Sequence, residues 1–155
     1  MKKTYILLIF SLFLITGCEN KEEVIKNEYI AMKNETLDEE NYTEDSIPVD
    51  IITTIERIDE EAITYMTTIT NPKENMHDVK VLLVHNYYNE DVFPSIGIFD
   101  EPQELLVDSE DNFELVLKDT IKTTTNLSKL GLEIKISIEY TDDNGEKKDI
   151  YYKTT

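Results

Sequence analysis

Cysteine occurs once in the sequence, at Cys18, and tryptophan does not occur at all. A single thiol closes no internal disulfide, which excludes a disulfide-stapled fold. Basic residues are scarce: 15 Lys and Arg stand against 33 Asp and Glu, a formal net charge of -18. Such a field repels DNA, RNA and anionic headgroups, so nucleic-acid binding is disfavoured. There are two histidines, His77 and His85, and no G-x-S-x-G stretch. Two His without cysteine partners would need carboxylates to complete a zinc site, and no nucleophile–base pair stands out. The sequence is therefore expected to be non-catalytic and to carry no cofactor. Long apolar runs are also lacking. The longest, Tyr5 to Ile15, is about half of the roughly 20 residues that a membrane-spanning helix needs.

What that run does match is a secretory leader. Lys2 and Lys3 precede it and small residues follow, ending at Cys18. Ile15, Thr16 and Gly17 before Cys18 resemble the lipobox of bacterial lipoproteins, in which the chain is cut just before an acylated cysteine. The resemblance implies that residues 1–17 are a signal peptide and that Cys18 becomes a lipidated N-terminus. It places the mature protein on the extracytoplasmic face of the cell membrane, held by acyl chains that each contribute on the order of 0.8 kcal/mol per buried CH₂. It also explains an otherwise unpaired thiol in an oxidising compartment. Cleavage would take two lysines and no acid, leaving -20.

Residues 18–46 after the lipid site read as an acidic flexible tether. They contain no Gly or Pro, few large apolar side chains, and ten acids against three lysines, the composition of a segment that cannot bury enough surface to fold alone. Ile25, Tyr29 and Met32 fall at i, i+4 and i+7, so a short transient helix from Glu22 to Met32 is expected within it. As a coil the tether would span roughly 30 Å.

Residues 47–155 change character to short β-rich runs. Ile47–Ile58 and Ala62–Thr70 are two strands around an acidic turn, Asp59–Glu61. In Val79–Tyr88, Val79, Val81 and Leu83 point one way while Leu82 and Val84 point the other, so this strand must be covered on both faces. Asp91–Asp100 and Gln103–Val107 are shorter, and Pro94 and Pro102 restrict them to edges or bends. Phe113, Leu115 and Leu117 alternate. From Leu132 to Tyr140 apolar residues alternate strictly with Glu133, Lys135, Ser137 and Glu139. Asn144–Gly145 then turns the chain into Glu146–Lys153, a β-hairpin.

Seven to eight short strands predict an all-β fold, a single immunoglobulin-like antiparallel β-sandwich. The segment Thr67–Tyr88, with its Asn-Pro loop between two strands, resembles the Ig-like and fibronectin-like domains of bacterial surface proteins. The absence of a Cys pair, a core Trp and a tyrosine corner excludes an antibody-like domain.

Among candidate site residues, Tyr87, Tyr88, Tyr151 and Tyr152 are binding candidates, because exposed tyrosines on neighbouring strands form contact patches. Cross-strand pairing within a half-wet sheet is the use the pattern favours. His85 shares a face with Val81 and Leu83 and reads as a core-edge residue; His77 lies in a polar loop. No metal site is expected. Asp108, Glu110 and Asp111 are weak candidates for an ion, and the Tyr140–Tyr151 turn fails an EF-hand test at both ends. Asn34, Asn41 and Asn126 begin N-x-Ser/Thr sequons, which mean little in a bacterium.

The functional expectation is a lipid-anchored cell-surface interaction module that binds an envelope protein or wall component. An alternative is an immunity or sequestering lipoprotein that captures a cationic peptide. A third class, a metal-assisted enzyme using His77 and nearby acids, requires chelator-sensitive activity.

Overall fold

A computed structural model of the chain describes residues 20–42, 47–87, 92–107, 109 and 113–154. Cys18 with Ile15, Thr16 and Gly17, and also Tyr88, Asp108, Glu110 and Asp111, lie outside the described residues.

The described residues are mostly β: two antiparallel sheets and one α-helix ahead of them in the chain. Strands β1 (Asp50–Arg57), β2 (Ala62–Thr70) and β6 (Leu115–Lys122) make a three-stranded sheet in the order β1-β2-β6. The second sheet is built on β3 (Met76–His85), with β7 (Ile134–Thr141) and β8 (Lys147–Thr154) on one side. The short β4 (Ser95–Ile96) and β5 (Gln103–Leu105) share its other side. The β1–β2 and β7–β8 hairpins form where the sequence predicts them. At the second turn only Gly145 takes a positive φ, +78°, because Asp142 closes the loop by accepting the Asn144 and Glu146 amides at 2.8 and 3.0 Å.

The two sheets meet over one apolar cluster. Ile63, Tyr65 and Ile69 of β2 with Leu115, Leu117 and Ile121 of β6 face Val81 and Leu83 of β3 and Ile134, Ile136 and Ile138 of β7. Period-two alternation brings these residues to the inner faces, and the arrangement is sandwich-like.

Helix α1 (Lys21–Leu37) is a third layer. It lies on the outer face of the five-stranded sheet, where Tyr29 and Met32 cover Leu82 and Val84 together with Phe93 and Ile98. Leu82 and Val84 are 0 and 1% exposed, and burying each contributes about 1.5–3 kcal/mol. Two expectations are corrected here. The fold is not purely all-β, and residues 21–42 are not a tether with a transient helix but a docked layer of the domain. The spacing of Ile25, Tyr29 and Met32 does mark the buried stripe. The docking also covers Lys135 and Ser137, whose alternation reads as solvent-facing; both are buried.

Polar contacts complete the seam. The Thr36 and Ser137 hydroxyls are 2.7 Å apart, and Lys80 pairs with Glu28. No residue of the last helical turn is basic. Lys135 of β7 supplies that charge instead, donating to the Leu37 carbonyl at 3.4 Å and pairing with Glu39. Among the described residues no helix is long and apolar enough to cross a membrane.

Candidate functional site

A groove of about 900 Å³ runs along the first half of α1. One wall is the helix, through Ile25, Tyr29 and Ile30; the other is the loop after β3, through Val92 and Phe99. That loop is pressed onto β3 because Gly97 at its bend has φ +76° and no side chain. A Cβ there would lie 2.6 Å from the Val79 carbonyl oxygen. The helix holds the loop in turn, since the Phe93 amide donates to the Tyr29 hydroxyl at 2.8 Å. The Tyr29 and Phe99 rings pack with centroids 5.2 Å apart. Burial raises the Tyr29 pKa, partly countered by the Phe93 amide, so the phenol stays neutral.

Despite this packing, Ile30, Val92 and Phe99 remain 43, 56 and 52% exposed. These exposed apolar side chains lie together along the groove. All three lysines of α1, Lys21, Lys26 and Lys33, line the same groove. The ammonium of Lys33 sits 4.9 Å from the centre of the Phe93 ring. Of the helix's glutamates only Glu22 reaches the groove; Glu28 turns to Lys80 and Glu35 to the Tyr151 hydroxyl, at 3.2 Å. In a chain of net charge -18 the groove is locally basic.

A second feature is the uncovered side of the three-stranded sheet. The register sets Ile52, Thr68 and Val116 in one row and Thr54, Met66 and Lys118 in the next. Ile52, Met66 and Val116 are 57, 37 and 47% exposed. Strand β1 lies at the sheet edge, and its central run Ile51–Ile55 carries no charge and no proline.

No protein-family model and no curated protein sequence matches the chain. Among solved structures, the crystal structure of the sporulation control protein Spo0M from Bacillus subtilis aligns at 11% identity with a TM-score of 0.30. The alignment covers 70% of this chain and 49% of that one, so the chain spans about half that protein's length.

The described tyrosines are not gathered into one patch. Tyr87 donates its hydroxyl to the Leu130 carbonyl at 2.7 Å and packs, like Tyr152, against the inter-sheet core. Tyr151 points to the other face of β8, meeting Glu35 and the edge of the Tyr42 ring.

His85 is a buried core-edge residue, edge-on to Tyr65 and Phe93. Its Nδ1 accepts the Tyr87 amide at 3.2 Å and its Nε2 has no partner among the described residues; burial lowers its pKa. His77 differs from a free loop residue. A bulge between His77 and Lys80, with Asp78 at φ 53°, re-aims its ring. Nε2 then meets Asp143 at 3.0 Å and Nδ1 meets Glu104 at 2.5 Å. Those two carboxylates, Asp143 first, raise its pKa. They bind opposite nitrogens, so the three groups form a clamp between β5, β3 and the β7–β8 turn rather than converging on a point. Among the described residues no three His, Cys, Asp or Glu side chains are placed to hold a metal ion. Sequence reasoning missed the groove; its only signals were the apolar residues Val92 and Phe99 in a loop and lysines interleaved with Ile25, Tyr29 and Ile30.

Proposed function

We propose that the protein is a lipid-anchored, extracytoplasmic interaction module, non-catalytic, held to the membrane through Cys18. The leader and the lipobox-like Ile15-Thr16-Gly17-Cys18 support the anchor and the location. Strand order supports reading the sandwich as Ig-like: β1, β2 and β6 stand as A, B and E of one sheet, and β3, β7 and β8 as C, F and G of the other.

The observation that carries the binding reading is the edge of β1, which no other strand pairs with among the described residues. Natural edge strands are blunted by charge, proline or bulges, and Ile51–Ile55 has none of these in an eight-residue strand paired along its full length with β2. Such an edge accepts an extended segment of a protein partner by strand addition, with main-chain hydrogen bonds giving affinity.

The test is a pull-down from native envelope with the processed chain, at low salt and at about 1 M, where the Debye length is about 3 Å. A protein recovered in both conditions, and lost with Ile52→Lys, supports strand addition. The net charge of -18 favours a second reading, capture of a cationic peptide. Recovery of small basic species at low salt only would establish that reading in place of the first.

A further inference from the structure

We infer that the α1 groove is the face on which the domain rests against its own membrane, and that its occupant is an anionic phospholipid bilayer surface. The inference rests on the lipidation of Cys18 proposed above. Asn20 lines the groove, and Cys18 is two residues earlier. Two residues of fully extended chain span at most about 7 Å. A cysteine whose acyl chains are in the bilayer therefore holds the groove at the headgroups. With α1 docked on the sheet, no long spacer exists between Asn20 and the domain.

The chemistry of the groove suits that position. Ile30, Val92 and Phe99 offer apolar side chains at the depth of the headgroup–acyl boundary, and Lys21, Lys26 and Lys33 offer ammonium groups to phosphates. This is the arrangement of an interfacial helix, with apolar residues flanked by lysines. The acidic remainder of the molecule is repelled by the same surface, which orients the domain with the lysines down. The bare face of β1, β2 and β6, on the other side of the sandwich from α1, then points away from the membrane.

The absence of tryptophan makes the test direct. The full chain is produced in a lipidating host as Phe99→Trp or as Val116→Trp, each giving a sole tryptophan at an exposed site. Each is reconstituted into vesicles of phosphatidylglycerol and phosphatidylcholine with brominated acyl chains, and the mass of the N-terminal peptide is read in parallel. The expected result is acylated Cys18, loss of most of the Phe99→Trp emission, and unchanged Val116→Trp emission. Replacing Lys21, Lys26 and Lys33 together by Gln, or omitting the anionic lipid, restores much of the Phe99→Trp emission. Acylated Cys18 with equal or absent quenching at the two sites overturns the docking and leaves the anchor intact. In native envelope, a photocrosslinking residue in place of Phe99 that yields a protein adduct and no lipid adduct assigns the groove to a protein and also overturns it. Unmodified Cys18 overturns both readings.

Discussion

Replacing Met32 by Ala separates a docked helix from a tether. Met32 is 2% exposed, in the cluster that covers Leu82 and Val84. Truncating a buried Met costs about 2–5 kcal/mol through lost transfer energy and the cavity left behind. For a chain of this size, at roughly 4 °C per kcal/mol, that lowers the melting temperature by about 8–20 °C. On an undocked helix the same change would stay within about 0.5 kcal/mol. Val24→Ala is the internal control, since Val24 is 41% exposed on the same helix and its truncation should cost less than about 0.5 kcal/mol. Both variants are melted beside the parent by circular dichroism. A Met32→Ala shift no larger than that of Val24→Ala would refute the three-layer fold. Tyr29→Phe adds an independent reading: it leaves the Phe93 amide without its acceptor, for a loss of about 1–3 kcal/mol.

Gly97→Ala sets a Cβ 2.6 Å from the Val79 carbonyl oxygen at a positive φ and should destabilise by more than about 1 kcal/mol, read as a lower urea midpoint; an unchanged midpoint would mean the loop is not held on β3. His77 has a raised pKa, so its clamp stabilises fully below the ordinary histidine value of about 6.5 and fades as pH rises through the raised pKa. At the acid end the contribution falls again as Asp143, itself lowered by His77, takes up a proton. The gap in urea midpoint between parent and His77→Gln should therefore be widest in mildly acidic buffer and close at alkaline pH. Because His85, with its lowered pKa, loses stability as pH falls below about 6.5, only the difference between the two proteins isolates the clamp; a pH-independent gap would exclude it. Ile52→Lys, at a 57% exposed site, should leave the melting temperature within about 2 °C of the parent while affecting partner capture, since surface changes stay within about 0.5 kcal/mol.

The sequence makes the sheets legible because alternation is a local signal. Ile134, Ile136 and Ile138 alternate over a full strand, and the two-faced apolar pattern of Val79–Val84 calls for a cover on each side. It does not say what the second cover is. The stripe Ile25–Tyr29–Met32 is visible, but the rest of the docking runs through Thr36, Glu28 and Glu39, residue types that look solvated until Ser137, Lys80 and Lys135 are known to face them. The same limit hides the clamp, whose carboxylates are 27 and 66 residues from His77, and the groove, whose second wall is a loop with no periodicity.

The contacts that seat α1 reach far along the chain. Thr36 and Ser137 are 101 residues apart, and Lys135 meets Glu39 across 96. Long-range closure of this kind is slow, and an isolated helix of this length is marginal in water. In a chain made from its N-terminus, the helix emerges early yet has no complete seat until β7 exists. An element made early is thus held late, and until β7 is in place Leu82 and Val84 face water and the nascent sheet is most exposed to misassembly.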